Sequence, residues 1–433
     1  MICVICVICG QNGMAGRIEN LGSSIERIDG RYNLSMPYRS RRVPADLSLN
    51  RLAEARERIG AIPYDLTISN PTACGISYPS DLLAGLADPR NLDYEPDPRG
   101  PMAARRAVSA EYKRWGATPD PRRIVLTAST SEAYGFLIRL FCDPGDAVLV
   151  PSPSYPLLEH LARLDGVDAL TYNLDGEAGW RVDFPSLESC PAQVRAVVVV
   201  HPNNPTGSFI HPDDRERLVV LCREREWALI ADEVFLPYPL DGGPGEAQTF
   251  ASVEDCLCCT LGGLSKSLGL PQIKLGWIVM SGPGDLVETA LDGLDYVADA
   301  SLSVSTPAAL ALPSMLATGA TIPDEISYRC RTNLGTLRRL ASEHHEVTLA
   351  PVGGGWNAVL RVPSVVSEED LCLQLLERHG VAVHPGHFFD FRAKGWLVIS
   401  LLPSADQFAE GARLLLDGVA QTLIPPHSGS DGG

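Results

Sequence analysis

The chain has 433 residues, 36 lysines and arginines against 53 aspartates and glutamates, and a formal net charge of −17. With 45% apolar and 21% charged residues it has the composition of a globular protein, long enough for two domains and a large buried core. An acidic balance without a long basic run argues against nucleic acid or an anionic membrane surface as a partner, since both need positive charge. Of the twelve cysteines, Cys3, Cys6 and Cys9 recur at every third position. No fourth ligand with matching spacing follows them, so no metal site is expected. The apolar run around them is too short to span a bilayer and lacks a basic region and a cleavage site, so it reads as a frayed leader or an upstream start. The other nine fall in predicted core segments, as in a reducing cytoplasm, which is the expected location.

In chain order, residues 1–40 lack sustained periodicity and predict an irregular arm. Leu47, Leu49, Leu52, Ala55 and Ile59, with Arg and Glu between, predict an amphipathic helix. A short strand, Asp65 to Ile68, runs into the turn Ser69-Asn70-Pro71-Thr72. Leu92 to Gly100 is polar and punctuated by prolines, with one tyrosine, Tyr94; a helix from Pro101 to Trp115 follows. Next come apolar runs at Ile124–Thr127, Ala147–Val150, Ala196–Val200 and Trp227–Ala231. Helices are expected near Ser131, after Tyr155, and from Asp213 to Arg225. Strands that are apolar on both faces and separated by helices predict an α/β fold, a mostly parallel sheet covered on both sides in three α/β/α layers.

After residue 300 the pattern changes. A long helix, a helix from Arg329 to Leu340, a strand at Trp356–Val362, a helix from Glu368 to His379 and a strand at Leu397–Leu401 predict a smaller α+β domain. The expected division is a large domain over 85–300, a small domain over 41–84 and 301–424, and a disordered Gly/Ser/Pro-rich tail over 425–433.

Ligands of such sheets collect at the carboxyl ends of the strands, where the unusual residues lie. Ser129, Thr130 and Ser131 precede a helix, where hydroxyls and free N–H groups suit either a phosphate or a plain helix cap. Tyr155 follows a strand and is placed to stack on a flat ring. His201-Pro-Asn-Asn204-Pro-Thr-Gly207 puts amide side chains past the most buried strand. Asp232 ends another apolar strand, which is costly unless its carboxylate meets a cation or a donor. Lys266, after Ser265 in a Gly/Ser-rich stretch, is either a surface lysine or one whose ammonium is desolvated enough to lose its proton and form a Schiff base.

As a set, Asn-Asn-Pro-Thr-Gly, Asp232-Glu-Val and Ser265-Lys266 resemble the fold-type I pyridoxal-phosphate enzymes of the class I/II aminotransferase family, over about residues 45–420. The resemblance implies a pyridoxal 5'-phosphate cofactor bound covalently through Lys266, which then shuttles the Cα proton. Asp232 would pair with the ring nitrogen, Asn204 with the phenolic oxygen, and Tyr155 with the ring face. Ser129, Thr130, Ser131 and Ser265 would surround the phosphate, with Lys274 adding charge. Tyr94 would reach the phosphate of a second subunit, implying a homodimer with shared sites, and Asn70 would lie beside the substrate.

The departures bear on the substrate. Phe235 replaces a tyrosine, Lys274 an arginine, and Gly263 a serine. In the C-terminal strand, Val398 stands where relatives carry the arginine that clamps the substrate carboxylate. Arg361 and Arg392 are the nearest replacements in sequence, with Arg361 the expected substrate contact. Asp292, Asp295 and Asp299 form either a solvated helix face or an attraction for a cationic substrate. Two activities follow. One is an aminotransferase acting on an amino acid or amine; the other is a lyase, cyclase or β/γ-replacement enzyme using the same cofactor. The substrate itself is not legible.

Overall fold

Asn50 starts the first helix by accepting a hydrogen bond from the Ala53 N–H at 2.8 Å, giving α1 (Arg51–Ile59). The computed structural model describes residues 40–44, 46–241 and 248–423; the cysteine repeat, the C-terminal tail and all but residue 40 of the arm lie outside them. After α1, β1 (Tyr64–Asp65) is shorter than its apolar pattern predicts. Asp65 Oδ1 accepts from the Thr67 N–H at 2.9 Å, and this local turn competes with strand extension.

The strands that follow are β2 (Ile124–Thr127), β3 (Ala147–Ser152), β4 (Asp168–Asp175), β5 (Arg181–Val182), β6 (Val194–Val200), β7 (Ala228–Asp232), β8 (Cys258–Gly263) and β9 (Gly276–Ser281). Between them run α2 (Met102–Glu111), α3 (Thr130–Phe141), α4 (Leu157–Asp165), α5 (Phe184–Glu188), α6 (Pro212–Arg225) and α7 (Leu264–Ser267). These eight strands make one sheet in the order β2-β9-β8-β7-β6-β3-β4-β5. The run from β4 through β3, β6 and β7 to β8 is parallel, while β9 is antiparallel to both β8 and β2. Alternation along one strand shows why the apolar runs are continuous. Val198 and Val200 enter one core cluster and Val197 and Val199 the other, on opposite faces of β6. Each fully buried valine stabilises the fold by roughly 1.5–3 kcal/mol.

β4, β8 and β9 carried no clear strand signal. β4 is exposed or half-buried over most of its length. β8 ends in Gly262-Gly263, and β9 begins at Gly276, where a loop pattern masks the pairing. Gly262 is required by its neighbour: a Cβ there would lie 2.4 Å from Nε1 of Trp277, its cross-strand partner.

The remainder comprises α8 (Gly284–Asp299), α9 (Thr306–Thr318), α10 (Ile322–Ala341), β10 (Thr348–Leu349), β11 (Asn357–Arg361), α11 (Glu368–His379), β12 (Val381–Ala382), β13 (His384–Pro385), β14 (Trp396–Ser400) and α12 (Ala405–Gln421). Strands β10-β11-β14-β13 form an antiparallel sheet, and β1 pairs in parallel with β12. α12 was not expected. It buries Phe408, Ala412, Leu415, Leu416 and Val419, a helical spacing that anchors it to the core.

One residue of the β6 mouth makes stability depend on pH. His201 is buried, and its Nδ1 accepts from the Ile210 N–H at 2.9 Å. Burial, aided by the Arg215 charge, pushes its pKa down to about 3. The unfolded chain, with an ordinary histidine near pH 6.5, therefore binds more protons than the folded one between these values. Its contribution to stability is present above about pH 6.5 and is lost as the pH falls towards 3. The urea midpoint is expected to drop across that window, and His201→Asn to make the drop shallower. An identical slope in both proteins would remove His201 as the cause.

Candidate active site

At the carboxyl ends of β3, β6, β7 and β8 the sheet opens into a cavity of about 240 Å³. Asp232 stands at its wall because it is the last residue of β7. Its Oδ2 accepts from the Tyr134 hydroxyl at 2.9 Å and its Oδ1 from the Val234 N–H at 3.1 Å. Burial pushes the Asp232 carboxyl up, and the Val234 N–H, the Tyr134 hydroxyl and the Lys266 charge pull it down. The adjacent Glu233 has a separate task. It accepts from the Thr249 hydroxyl at 2.6 Å and the Phe250 N–H at 2.5 Å, and burial pushes it up to about 8.

Lys266 lies on α7, immediately after β8, and lines the same cavity. Its Nζ is 4.8 Å from the Trp356 ring centre and 5.3 Å from that of Phe235, so aromatic faces meet the ammonium. The Tyr238 hydroxyl donates to the Lys266 main-chain oxygen and holds the short helix in place. Ser265 lines the cavity beside it. Gly263 is needed for this packing. A Cβ there would lie 3.2 Å from both Gly276 Cα and Leu275 O, so a serine would press on backbone.

The two asparagines of the β6 loop divide their work. Asn203 is buried and donates to Pro153 O at 3.1 Å and to the Thr206 hydroxyl at 2.9 Å, which shapes the loop. Asn204 lines the cavity, and its Oδ1 accepts from Asn357 Nδ2 at 2.8 Å. That contact leaves the Asn204 amide nitrogen as the donor for a ligand. Tyr155 and Asn70 also line the cavity; Asn70 Oδ1 is already held by the Thr72 N–H and hydroxyl at 3.1 and 2.8 Å.

The hydroxyl cluster separates too. Ser129 is the N-cap of α3, with its Oγ accepting from the Glu132 N–H at 3.1 Å, and it is not a lining residue. Thr130 and Ser131, the first two helical residues, do line the cavity. The positive end of a 12-residue helix therefore faces it, with N–H groups beyond the reach of the helix's own bonds.

Other expected contacts lie elsewhere. Lys274 is exposed, in left-handed backbone (φ 58°), and does not line the cavity. Arg361 is exposed and sits over the Trp396 ring at 5.1 Å. It lies four residues along β11 from Asn357, about 13 Å at strand rise, which is why it does not reach. Arg392 lines a separate surface recess with Arg217. Neither arginine replaces the missing clamp. Asp295 accepts two bonds from Arg99, both 2.6 Å, so its charge is paired and structural. Tyr94 is 68% exposed, outside its own chain's cavity.

Sequence reasoning missed Tyr134, Tyr238, Trp356, Asn357 and His384. Tyr134 had a signal: four residues after Thr130, it shares that face of α3. Asn357 and His384 had a weaker one, a polar residue at the edge of an apolar run.

The residues present fit pyridoxal phosphate. A buried carboxylate suits a protonated ring nitrogen, an amide nitrogen suits a phenolic oxygen, and an aromatic ring suits the flat face. A helix N-terminus with two hydroxyls suits a phosphate dianion, and a lysine suits an aldehyde.

Comparison with known proteins agrees. Residues 84–413 match the family model of aminotransferase class I and II. The chain is 30% identical over 352 residues to the alanine aminotransferase of Mycobacterium tuberculosis, covering 78% of this chain and 81% of that protein. It is 27% identical over 348 residues to the arginine–pyruvate transaminase AruH of Pseudomonas aeruginosa, covering 79% and 85%. The fold superposes on an alanine aminotransferase of Pyrococcus furiosus with a TM-score of 0.76 at 22% identity, covering 86% of this chain and 95% of that one. The family match and the 30% identical relative favour amino transfer over the lyase, cyclase or replacement chemistries. The chain belongs to the class I and II aminotransferase family and is a pyridoxal-phosphate-dependent aminotransferase.

Proposed function

We propose that this aminotransferase removes the amino group of a small amino acid or amine, with Lys266 as the proton-transfer group and Asp232 as the partner of the cofactor's ring nitrogen. The observation that carries the reading is that both residues face one cavity from the ends of adjacent parallel strands, with Asn204 on the next. Bound pyridoxal phosphate supplies a carbonyl carbon for the amine and an electron-withdrawing ring. Lys266 Nζ would take the proton from the substrate Cα and deliver it, across the nitrogen, to the former carbonyl carbon two bonds away. Asp232 keeps a proton on the ring nitrogen, and Tyr134 and the Val234 N–H orient its carboxylate. Asn204 donates to the phenolic oxygen, and Tyr155 packs on the ring face. Thr130, Ser131, Ser265 and the α3 N-terminus bind the phosphate; Ser129 caps that helix and Lys274 contributes charge from outside the cavity. Asn70 contacts the substrate.

The working unit in this reading is a homodimer in the cytoplasm, with Tyr94 serving the partner's site. Supporting it, Leu92, Tyr94, Tyr296 and Leu302 are 91%, 68%, 81% and 71% exposed. Their segments are tied together by the Asp97 N–H to Ser303 Oγ bond at 3.0 Å and by the Arg99–Asp295 pair. No helix among the described residues is long and apolar enough to cross a membrane. The test is a half-reaction of the holoenzyme with a panel of amino acids and amines, run alongside sedimentation. Stoichiometric pyridoxamine phosphate from one donor class and a mass of twice 46.6 kDa are expected. Turnover that leaves no pyridoxamine phosphate sinks the amino-transfer reading.

A further inference from the structure

A buried histidine, His384, lines the cavity. His384 is 4% exposed, and neither ring nitrogen has a hydrogen-bond partner among the described residues. A buried polar side chain in that condition is costly unless a ligand or water meets it. Its position follows from strand register. His384 on β13 pairs with Val398 on β14, and Val398 pairs with Val359 on β11. Directly paired residues of antiparallel strands share a face, as do alternate residues of one strand. His384, Val398 and Asn357 therefore look the same way, and of these His384 and Asn357 line the cavity. The histidine stands beside Val398, where a longer basic side chain is absent.

The charges around it set what it can bind. Among the described residues lining the cavity, Lys266 is the only lysine or arginine. Arg56, whose charge acts on His384, is ion-paired with Asp65 and donates to the Thr67 hydroxyl at 3.2 Å, so its charge is already matched. Burial, with the Arg56 charge against it, pushes the His384 imidazole down to about 3, and it is neutral at pH 7. A neutral imidazole offers one donor and one acceptor, and the two exchange by tautomer. A carboxylate could use only the donor, and beside His384 its charge would meet no lysine or arginine of the cavity lining other than Lys266, which is committed to the cofactor in the reading above. A hydroxyl or a carboxamide can pair with either tautomer at no such cost.

We infer that His384 is a substrate-specificity residue, and that the preferred amino donor carries an uncharged hydroxyl or carboxamide where an α-amino acid carries its carboxylate. Asn357, held by Asn204, flanks it with a second polar group. This inference rests on the aminotransferase reading above, and its test separates the two. Single-turnover formation of pyridoxamine phosphate is followed in the wild-type holoenzyme with L-alanine, L-alaninamide and L-alaninol. The amide and alcohol are expected to exceed L-alanine at least tenfold in kcat/KM. His384→Phe is expected to erase that preference, chiefly through KM. His384→Gln, which keeps a donor and an acceptor, is expected to retain most of it. L-alanine reacting as well as or better than its neutral analogues overturns the inference while leaving amino transfer intact. That comparison needs only the wild-type protein, so it does not depend on any variant folding. An equal loss for all three donors in His384→Phe also overturns it, since it marks a purely structural role. If none of the three gives pyridoxamine phosphate while another donor of the panel does, the inference falls and amino transfer stands; none from the whole panel overturns both.

Discussion

Lys266→Ala is expected to leave a folded protein that retains no borohydride-reducible cofactor and that transfers amino groups at least about 10³-fold more slowly. The size follows from two losses. The covalent anchor disappears, and so does the group that moves the Cα proton, a role commonly worth about 10²–10⁴ in rate by itself. Folding should tolerate the change, because the side chain meets the Trp356 and Phe235 faces while the helix carrying it is held through its backbone. Tyr238 donates to the Lys266 main-chain oxygen, and so does the Gly269 N–H at 3.1 Å. Peptide mapping after reduction is the measurement. A pyridoxyl adduct on a lysine other than Lys266 in the wild-type protein would falsify the assignment. A second consequence concerns Asp232: with the Lys266 charge gone, one of the interactions that oppose the burial of its carboxylate is lost.

Asp232→Ala produces the second large effect. Phosphate binding at the α3 N-terminus and the covalent bond through Lys266 do not involve this carboxylate, so the protein should still take up cofactor and be yellow. Exchange of the substrate Cα proton, however, should fall by about 10²–10⁴. Removing one partner of a buried charge pair typically costs about 3–5 kcal/mol, the equivalent of that factor. Asp232→Asn tests whether charge or shape matters, since its Oδ1 can still accept from the Val234 N–H and its Nδ2 can donate to the Tyr134 hydroxyl oxygen, reversing that bond, while the charge is removed. The asparagine variant should behave like the alanine one. If deuterium exchange at Cα proceeds at the wild-type rate in either, the ring-nitrogen role is wrong.

The site was legible to different depths for separable reasons. Asp232, Asn204, Thr130, Ser131 and Lys266 were visible because each interrupts or terminates an apolar or turn pattern at a strand end, where parallel sheets hold their ligands. Ser129 belonged to the same cluster, but only the helix geometry shows it spending its hydroxyl on the Glu132 N–H. Arg361 was chosen for its nearness in sequence to a missing cation. The extended rise of β11 carries it away from the cavity to the Trp396 ring. Tyr134 and His384 were missed because their partners lie about a hundred residues distant or are absent among the described residues.

By itself the sequence determined the layered α/β architecture, the apolar strands and the polar residues at their carboxyl ends; pyridoxal phosphate entered only through the family resemblance of those residues. Those features depend on local periodicity and on residue types at strand ends, which are fixed by near neighbours. It did not determine the strand order, with β9 placed between β2 and β8, or the pairing of β1 with β12. Nor did it determine which polar side chains look into the cavity. Those depend on cross-strand register, where a shift of one residue turns every side chain to the opposite face. Register is what sets His384 beside Val398 and so gives the cavity an imidazole where no arginine of the described residues lines it.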